Sequence, residues 1–418
     1  MRVLHVTHQY RPAIGGAERY ITDLSEELAQ RGYQVDVFTS RSVDYHTWRS
    51  ELPHSEQLNG VNVYRFSSLP RTRHVWRALE YGLGNYLRKG AWRYEPFIFY
   101  GNGPICPTML FSMLRQARQY DLVHINNLHY SHSLTAYFGA HLHRLPVVIT
   151  PHIHVEQPET YDIGYMRTIV RGSMAVLADT QAEKEHLANL GWNPEITVAG
   201  HGLRLDQFPV FDWKQSRMRF DVPVDGLVIL FLGRKTNYKG LEESVEAFAA
   251  LRQNRKDIYF LAIGPETDFS QGLWRRYSGL DGLIVRGTVS DEDRLAALAC
   301  CDVLTMPSAG EAFGIVYLEA WAYHKPVIAA RIASVSSLID DGVDGFLVEP
   351  GQVPPLIHRL ACLADNRAMA RMMGDQGRAK IEKRYNVQHI ADIVEGVYVR
   401  TLRRHRTLLE KNLKCASA

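Results

Sequence analysis

Short β-rich apolar runs alternate with helical segments along this chain, and the alternation halts once and then restarts. "RVLHVT" precedes a helical stretch from about Ala17 to Arg31, in which Ile21, Leu24 and Leu28 keep helical spacing. "YQVDVFTS", "VNVYRF", "DLVHIN", "PVVITPH", "AVLADT" and "EITVAG" follow, with helices between most of them. Such strands predict parallel sheets with right-handed crossovers, an α/β fold. The pattern pauses over "HGLRLDQFPVFDWKQSRMRFDVPVDG", where Pro209, Pro223, Gly226 and mixed polarity read as a linker. It resumes with "LVILFLG", "IYFLAIG", "LIVRG", "DVLTMPS", "PVIAAR" and "GFLVE". A chain of 418 residues exceeds one ordinary core. The expectation is two Rossmann-like parallel-sheet domains, 1–205 and 226–385, joined by a linker at 206–225 and facing an interdomain cleft. Open parallel sheets bind ligands outside the carboxyl ends of their strands, which puts the ligand in that cleft. The stretch 42–99 fits the alternation poorly and is expected as an insertion or lid.

Composition narrows the function classes. Apolar content of 46% and charged content of 22% suit a soluble globular protein. The formal net charge of +3 makes no global demand for nucleic acid. Cys106, Cys300, Cys301, Cys362 and Cys415 form no spaced framework, so free thiols in a reducing cytosol are expected. "MRVLHVTHQYRP" has no apolar leader region, and the longest apolar runs fall short of a membrane span. Cytoplasmic location follows as an expectation. Charge is nevertheless uneven. "RTRHVWRALEYGLGNYLRKGAWR", residues 71–93, sets six basic side chains against Glu80, with Trp76, Tyr81, Tyr86 and Trp92 interleaved. That is either a solvated face over a packed helix or a contact for anionic lipid headgroups or a lipid-linked substrate.

Several loops carry candidate chemistry. Gly15 and Gly16 stand between the first strand and its helix, where backbone amides can approach an anion or serve only the turn. The pair is not G-x-G-x-x-G, which counts against a dinucleotide dehydrogenase. In "LFLGRKTNYKG", Arg234 follows a strand and Lys239 begins the next helix, so the two cations could hold a diphosphate or lie at the surface. Seven of the 18 histidines fall between His124 and His154. His152 and His154 past a strand could bind metal, pack, or place one polar contact on a substrate. Asp291 and Asp293 form a D-x-D, but Ser290 before them is a good N-cap and acids suit a first helical turn. In "GEAFGIVYLEAWA", Gly314 lets the backbone approach a ligand, and the amides of Ile315 and Val316 open a helix that can seat a diphosphate. Glu311 lies before that turn and Glu319 within the helix, where it can accept from sugar hydroxyls.

In this order, "GGAER", "TPHIH", "LADTQAEKEHLANLG", "GRKTNYKG", "GEAFGIVYLEAWA", "KPVIA" and "DGVDGFLVEPG" resemble the GT4 family of retaining glycosyltransferases with the GT-B fold, nearly end to end. The resemblance implies a hexosyltransferase of polysaccharide or glycolipid biosynthesis, with a nucleotide-diphosphate sugar bound mainly by the second domain. Arg234 and Lys239 match the diphosphate pair, and Glu319 the acid that holds the ribose. Glu311 matches the first acid of the E-x7-E motif, and His152 the histidine that reaches the sugar; these two are the catalytic candidates. Gly16, Arg286, Phe313, Gly314, Ile315 and Val316 complete the donor-binding set, with Arg286 where the backbone meets the nucleobase. The segment 386–418, apolar at Ile390, Ile393, Val394 and Val397, is expected to cross back onto the first domain. His324, Ser336, Ser337 and His201 depart from the family pattern. No metal or cofactor is implied. The partners implied are the donor and a hydroxyl acceptor (glycan, lipid-linked or small molecule), with peripheral contact to an anionic membrane through 71–93 and no nucleic acid. A catalytically inactive nucleotide-sugar-binding subunit and a His-rich metal hydrolase are the alternatives.

Overall fold

A computed structural model describes every residue except Ile14, Pro194, Ser417 and Ala418, with side chains as far as 411, so the side chains of Lys414 and Cys415 lie outside it. The chain divides into two compact units, Met1–Gly202 with Val387–Ala418, and Leu203–Asn386.

The first unit is built on eight strands: β1 (Arg2–Thr7), β2 (Gln34–Ser40), β3 (Ser55–Leu58), β4 (Val61–Phe66), β5 (Leu122–Asn126), β6 (Val147–Thr150), β7 (Ala175–Ala178) and β8 (Ile196–Val198). Their order in the sheet is β3-β4-β2-β1-β5-β6-β7-β8. All neighbours are parallel except β3 and β4. Parallel strands covered on both faces read as unbroken apolar runs, and β1, β5, β6 and β7 are almost wholly buried. The stretch 42–99, expected as an insertion or lid, supplies the expected strand "VNVYRF" as β4 and adds β3 beside it, so this part belongs to the sheet. Asn59 and Gly60 between them both have positive φ, 47° and 86°, the tight-turn signal of a two-residue hairpin. Residues 73–102 then form two packed helices, Arg73–Lys89 and Glu95–Asn102.

The C-terminal helix Val387–Ala416 belongs to this unit. Ile390, Ala391, Val394 and Val397 share one core with Ile21, Leu24 and Leu28 of the Gly16–Gln30 helix. The Tyr398 hydroxyl meets His5 Nε2 at 3.0 Å and His124 Nδ1 at 2.6 Å, which bolts the helix to the centre of the sheet.

The second unit has six parallel strands: β9 (Leu227–Leu232), β10 (Ile258–Ile263), β11 (Leu283–Arg286), β12 (Val303–Met306), β13 (Val327–Ala330) and β14 (Gly345–Val348). They are ordered β11-β10-β9-β12-β13-β14. The stretch 206–225, expected as a linker, is packed into this unit. Its Trp213–Arg219 helix is capped by Asp212, and Arg217 is buried. The Arg217 guanidinium donates to the carbonyls of Val224 and Gly226, each at 2.6 Å, and pairs with Asp302 at 2.7 Å.

Candidate active site

Two loops at the carboxyl ends of β9 and β12 meet in the second unit. A Cβ on Gly240, at φ 73°, would stand 2.5 Å from the Pro307 carbonyl oxygen, so only glycine lets the two backbones approach this closely. The consequence is that Lys239, at the end of the first loop, reaches Glu311 on the second. Lys239 Nζ lies 2.6 Å from Glu311 Oε1, and both side chains are largely buried. Gly314, at φ 87°, is the N-cap of the Ile315–Ala322 helix. It offers no side chain to its first amides, which leaves them to an anion. Tyr317 fixes this helix start by donating from its hydroxyl to the Met306 carbonyl at 2.7 Å.

The other expected donor-binding residues are placed less uniformly. Arg234 is exposed, on the same loop as Lys239. The cation buried in that loop is its neighbour Lys235, which pairs with Glu266 and donates to the Arg286 carbonyl at 2.7 Å. Burial lowers the Lys235 pKa against the pull of Glu266. Burial raises that of Glu266, but the Lys235 ammonium, Ser270 hydroxyl and Trp274 indole hold it below the usual carboxylate range. The Arg286 side chain pairs with Asp221 at 2.7 Å. Phe313 turns inward, its ring edge-on to Tyr385 at 5.7 Å. Glu319 lies on the buried face of its helix, 2.7 Å from Arg294. Arg294 also holds Asp291 at 2.7 Å, and Asp293 pairs with Arg219 at 3.0 Å. Ser290 caps their helix by accepting from the Asp293 amide. The acids of the D-x-D are thus engaged in structural pairs.

In the first unit His152 follows β6 with φ 55°, a strained position for this residue. Its Nδ1 is 2.7 Å from Asp179 Oδ2 and its Nε2 is 2.8 Å from Asn126 Oδ1. The Asn126 amide nitrogen donates to the Ala17 carbonyl at 3.2 Å, so its oxygen is the atom that faces the imidazole. His152 thus bridges Asp179 and Asn126 through its two ring nitrogens. His201 Nε2 approaches the other Asp179 oxygen at 3.1 Å. Burial raises the Asp179 pKa, but the two imidazoles outweigh it and hold the group well below the usual range. Glu183 accepts from the amides of Ile153 at 2.8 Å and Asp179 at 2.6 Å, and burial together with the Asp179 charge raises its pKa.

Among the described residues His152, Asp179 and His201 are the one group compact enough to hold a metal ion. Their ligand atoms are hydrogen-bonded to one another, so a cation would have to displace those protons. His154 is not part of the group; its ring stacks on Tyr161. Gly16 opens the first helix, and Ala17 beside it ties that helix through Asn126 to His152. Sequence reasoning missed Lys235, Glu266, Arg294, Asn126 and Asp179. Asp179 sits in the quoted "LADTQAEKEHLANLG", but its partners are remote in sequence.

The model of the Glycosyltransferase Family 4 matches residues 14–207, and that of Glycosyl transferases group 1 matches residues 214–380. A D-inositol 3-phosphate glycosyltransferase of an Arthrobacter species is 29% identical over 412 residues, covering 90% of this chain and 88% of the relative. The O-antigen chain mannosyltransferase C of Escherichia coli is 24% identical over 413 residues, covering 96% and 99%. Among solved structures, sucrose-phosphate synthase from Thermosynechococcus elongatus superposes with a TM-score of 0.74 at 21% identity, covering 96% of this chain and 99% of that one. Anabaena HepE, solved in complex with UDP-glucose, gives a TM-score of 0.72 at 20% identity, covering 95% and 99%.

Proposed function

We propose that this chain, which belongs to the group 1 glycosyltransferases of family 4 and has the GT-B fold, moves a hexose from a nucleoside-diphosphate sugar to an acceptor hydroxyl with retention of configuration. The observation that carries this reading is the Lys239–Glu311 pair at the uncapped start of the Ile315–Ala322 helix. A pyrophosphate there meets an ammonium, supported by Arg234 on the same loop, and the amides of Ile315 and Val316. These groups stabilise charge that grows on the leaving diphosphate, the task a divalent cation performs elsewhere. The reading is therefore metal-independent. A leaving phosphate oxygen takes the acceptor's proton on the face it departs from, which retains the anomeric configuration.

Glu319, oriented by Arg294, is the acceptor for ribose hydroxyls. Lys235 and Glu266 brace the Arg286 backbone, where the resemblance puts the base. Gly16 and His152 are assigned to the sugar on the strength of the resemblance, with His152 oriented by Asp179 and Asn126.

No described helix is long and apolar enough to cross a membrane. The basic and aromatic residues of 71–93 reach solvent at Tyr81, Arg88, Lys89, Trp92 and Arg93, and we assign this face to peripheral contact with anionic lipid. A thermal-shift screen of nucleotide sugars tests the reaction class. The true donor raises stability by about 2.7 kcal/mol at a hundredfold excess over Kd. Binding without transfer or slow donor hydrolysis would instead identify a catalytically inactive subunit.

A further inference from the structure

Four neighbouring strands of the first unit each carry one polar side chain at their carboxyl ends. Asn126 ends β5, His152 follows β6, Asp179 follows β7 and His201 follows β8. These strands are parallel and lie side by side in that order, so residues 26, 27 and 22 positions apart in the chain become neighbours. Gly200, at φ 74°, turns the chain just before His201. His152, Asp179 and His201 are almost dry, their side chains 5%, 1% and 4% exposed. His201 is also among the residues that depart from the family pattern.

Two imidazoles and a carboxylate thus converge, with one ligand atom from each all within 4.8 Å of one another. This donor set suits zinc and its neighbours in the first transition series, whereas magnesium and calcium take oxygen ligands. Tetrahedral ligands about 2.1 Å from an ion stand roughly 3.4 Å apart. The contacts of Asp179 with His152 at 2.7 Å and with His201 at 3.1 Å need widen only slightly to admit one. The hydrogens between rings and carboxylate would leave to solvent as protons on ligation. The surroundings hold the three side chains as a metal site requires. Asn126 Oδ1, 2.8 Å from His152 Nε2, orients that ring so that Nδ1 faces Asp179. Glu183 accepts from the amides of both Ile153 and Asp179, which ties the two loops together. The Tyr20 ring packs edge-on to His152 at 5.5 Å and tilts over His201 at 4.9 Å. His152 keeps its left-handed backbone, at φ 55°, within this frame, and such strain persists only where the surroundings over-determine it.

We infer that His152, Asp179 and His201 form a site for one divalent transition-metal ion of the zinc type, and that its occupancy inhibits glycosyl transfer by fixing His152 on the ion. The metal does no chemistry in this scheme; it withdraws a side chain assigned to the sugar. The inhibition rests on the proposed glycosyl transfer, whereas the metal site itself does not.

The test uses the full chain, stripped with EDTA and dialysed. Titration with Co²⁺ should saturate at a single equivalent and develop the visible absorption of a four-coordinate ion, and Zn²⁺ should abolish the band as it replaces the cobalt. In competition with a chromophoric chelator, Asn126→Ala should weaken Zn²⁺ binding about tenfold, and His201→Asn and Asp179→Asn each more than about a hundredfold. His154→Asn should not change it, since that ring stacks on Tyr161 outside the group. His201→Asn decides the matter if Asp179→Asn does not fold. Zn²⁺ should also suppress transfer by the wild type, and whatever transfer His201→Asn retains should resist it. A Zn²⁺ affinity unchanged in His201→Asn, or a wild type that develops no cobalt band, overturns the site. Zn²⁺ bound through these residues with transfer undiminished overturns the inhibition. Binding that depends on His201 in a protein that transfers no sugar, with or without zinc, would instead sink the glycosyl-transfer reading and leave the site standing.

Discussion

Lys239 Nζ stands 2.6 Å from Glu311 Oε1, although 72 positions separate the two residues in the chain. The contact exists because Gly240 lets the β9 and β12 loops touch. The ammonium is held in place before any ligand arrives, which is the preorganisation that transition-state stabilisation requires. Lys239→Ala should lower kcat roughly 10²–10³-fold and leave the far-UV circular dichroism unchanged. Wild-type turnover in this variant would remove the diphosphate role.

A second pair, Arg294 and Glu319, makes a different demand. Both are largely buried, and Arg294 also ties down Asp291. Removing one partner of a buried pair leaves the other charge uncompensated, at about 3 kcal/mol or more. Arg294→Ala should therefore lower the urea midpoint and raise the KM for the donor. Loss of stability with an unchanged KM would confine Glu319 to a structural part.

How much of this was legible in the sequence varies by element. The strands were, because parallel strands buried on both faces leave continuous apolar runs such as "LVILFLG". The turn at Gly314 was also legible, since a glycine just before a helical run marks the helix start. The Trp213–Arg219 helix was not, because what anchors it is one buried arginine bonded to carbonyls rather than an apolar stripe. Lys235 with Glu266 and His152 with Asn126 lie 31 and 26 positions apart, and no spacing rule links them. The helical reach of Gly16–Gln30 showed in its apolar spacing, whereas the tie from Ala17 to Asn126 appears only when the strands are laid side by side.

Buried imidazoles set the response to acid. Burial brings His5 and His132 to a pKa of about 3, and burial with the Arg71 charge brings His129 to about 4. In the unfolded chain each titrates near 6.5. The folded values are depressed, so the unfolded state binds more protons below pH ~6.5. The stability these residues contribute is complete above that value and is lost as pH falls towards 3–4. The slope is about 1.4 kcal/mol per pH unit for each group. Urea melts at pH 7.5, 6 and 5 should show a declining midpoint, and a flat profile would contradict the buried neutral state.

Tyr398 joins the C-terminal helix to the sheet through two histidines, His5 and His124. Tyr398→Phe keeps the ring in the core and leaves both imidazoles short of a partner. An unsatisfied buried polar group costs about 1–3 kcal/mol. Hydrogen exchange should quicken first at residues 387–402, ahead of β1 and β5. Uniform acceleration across the unit would mean that the helix and sheet open together.

The face formed by residues 71–100 makes the last prediction. Trp92 is 79% exposed, Tyr81 53% and Leu87 50%, among the exposed cations Arg88, Lys89 and Arg93. Tyr81 and Phe97 pack with ring centroids 5.3 Å apart, so the aromatic surface spans both helices. Apolar rings amid cations fit the headgroup layer of an anionic bilayer, where each Lys or Arg contributes about 1 kcal/mol. Replacing Arg88, Lys89 and Arg93 with Gln should then cut binding to phosphatidylglycerol vesicles by about two orders of magnitude. Trp92→Ser should weaken the residual binding at high salt, where charge is screened. Cosedimentation measures both. Equal binding of the wild type to neutral phosphatidylcholine vesicles, or none to either, would show that this face is merely solvated.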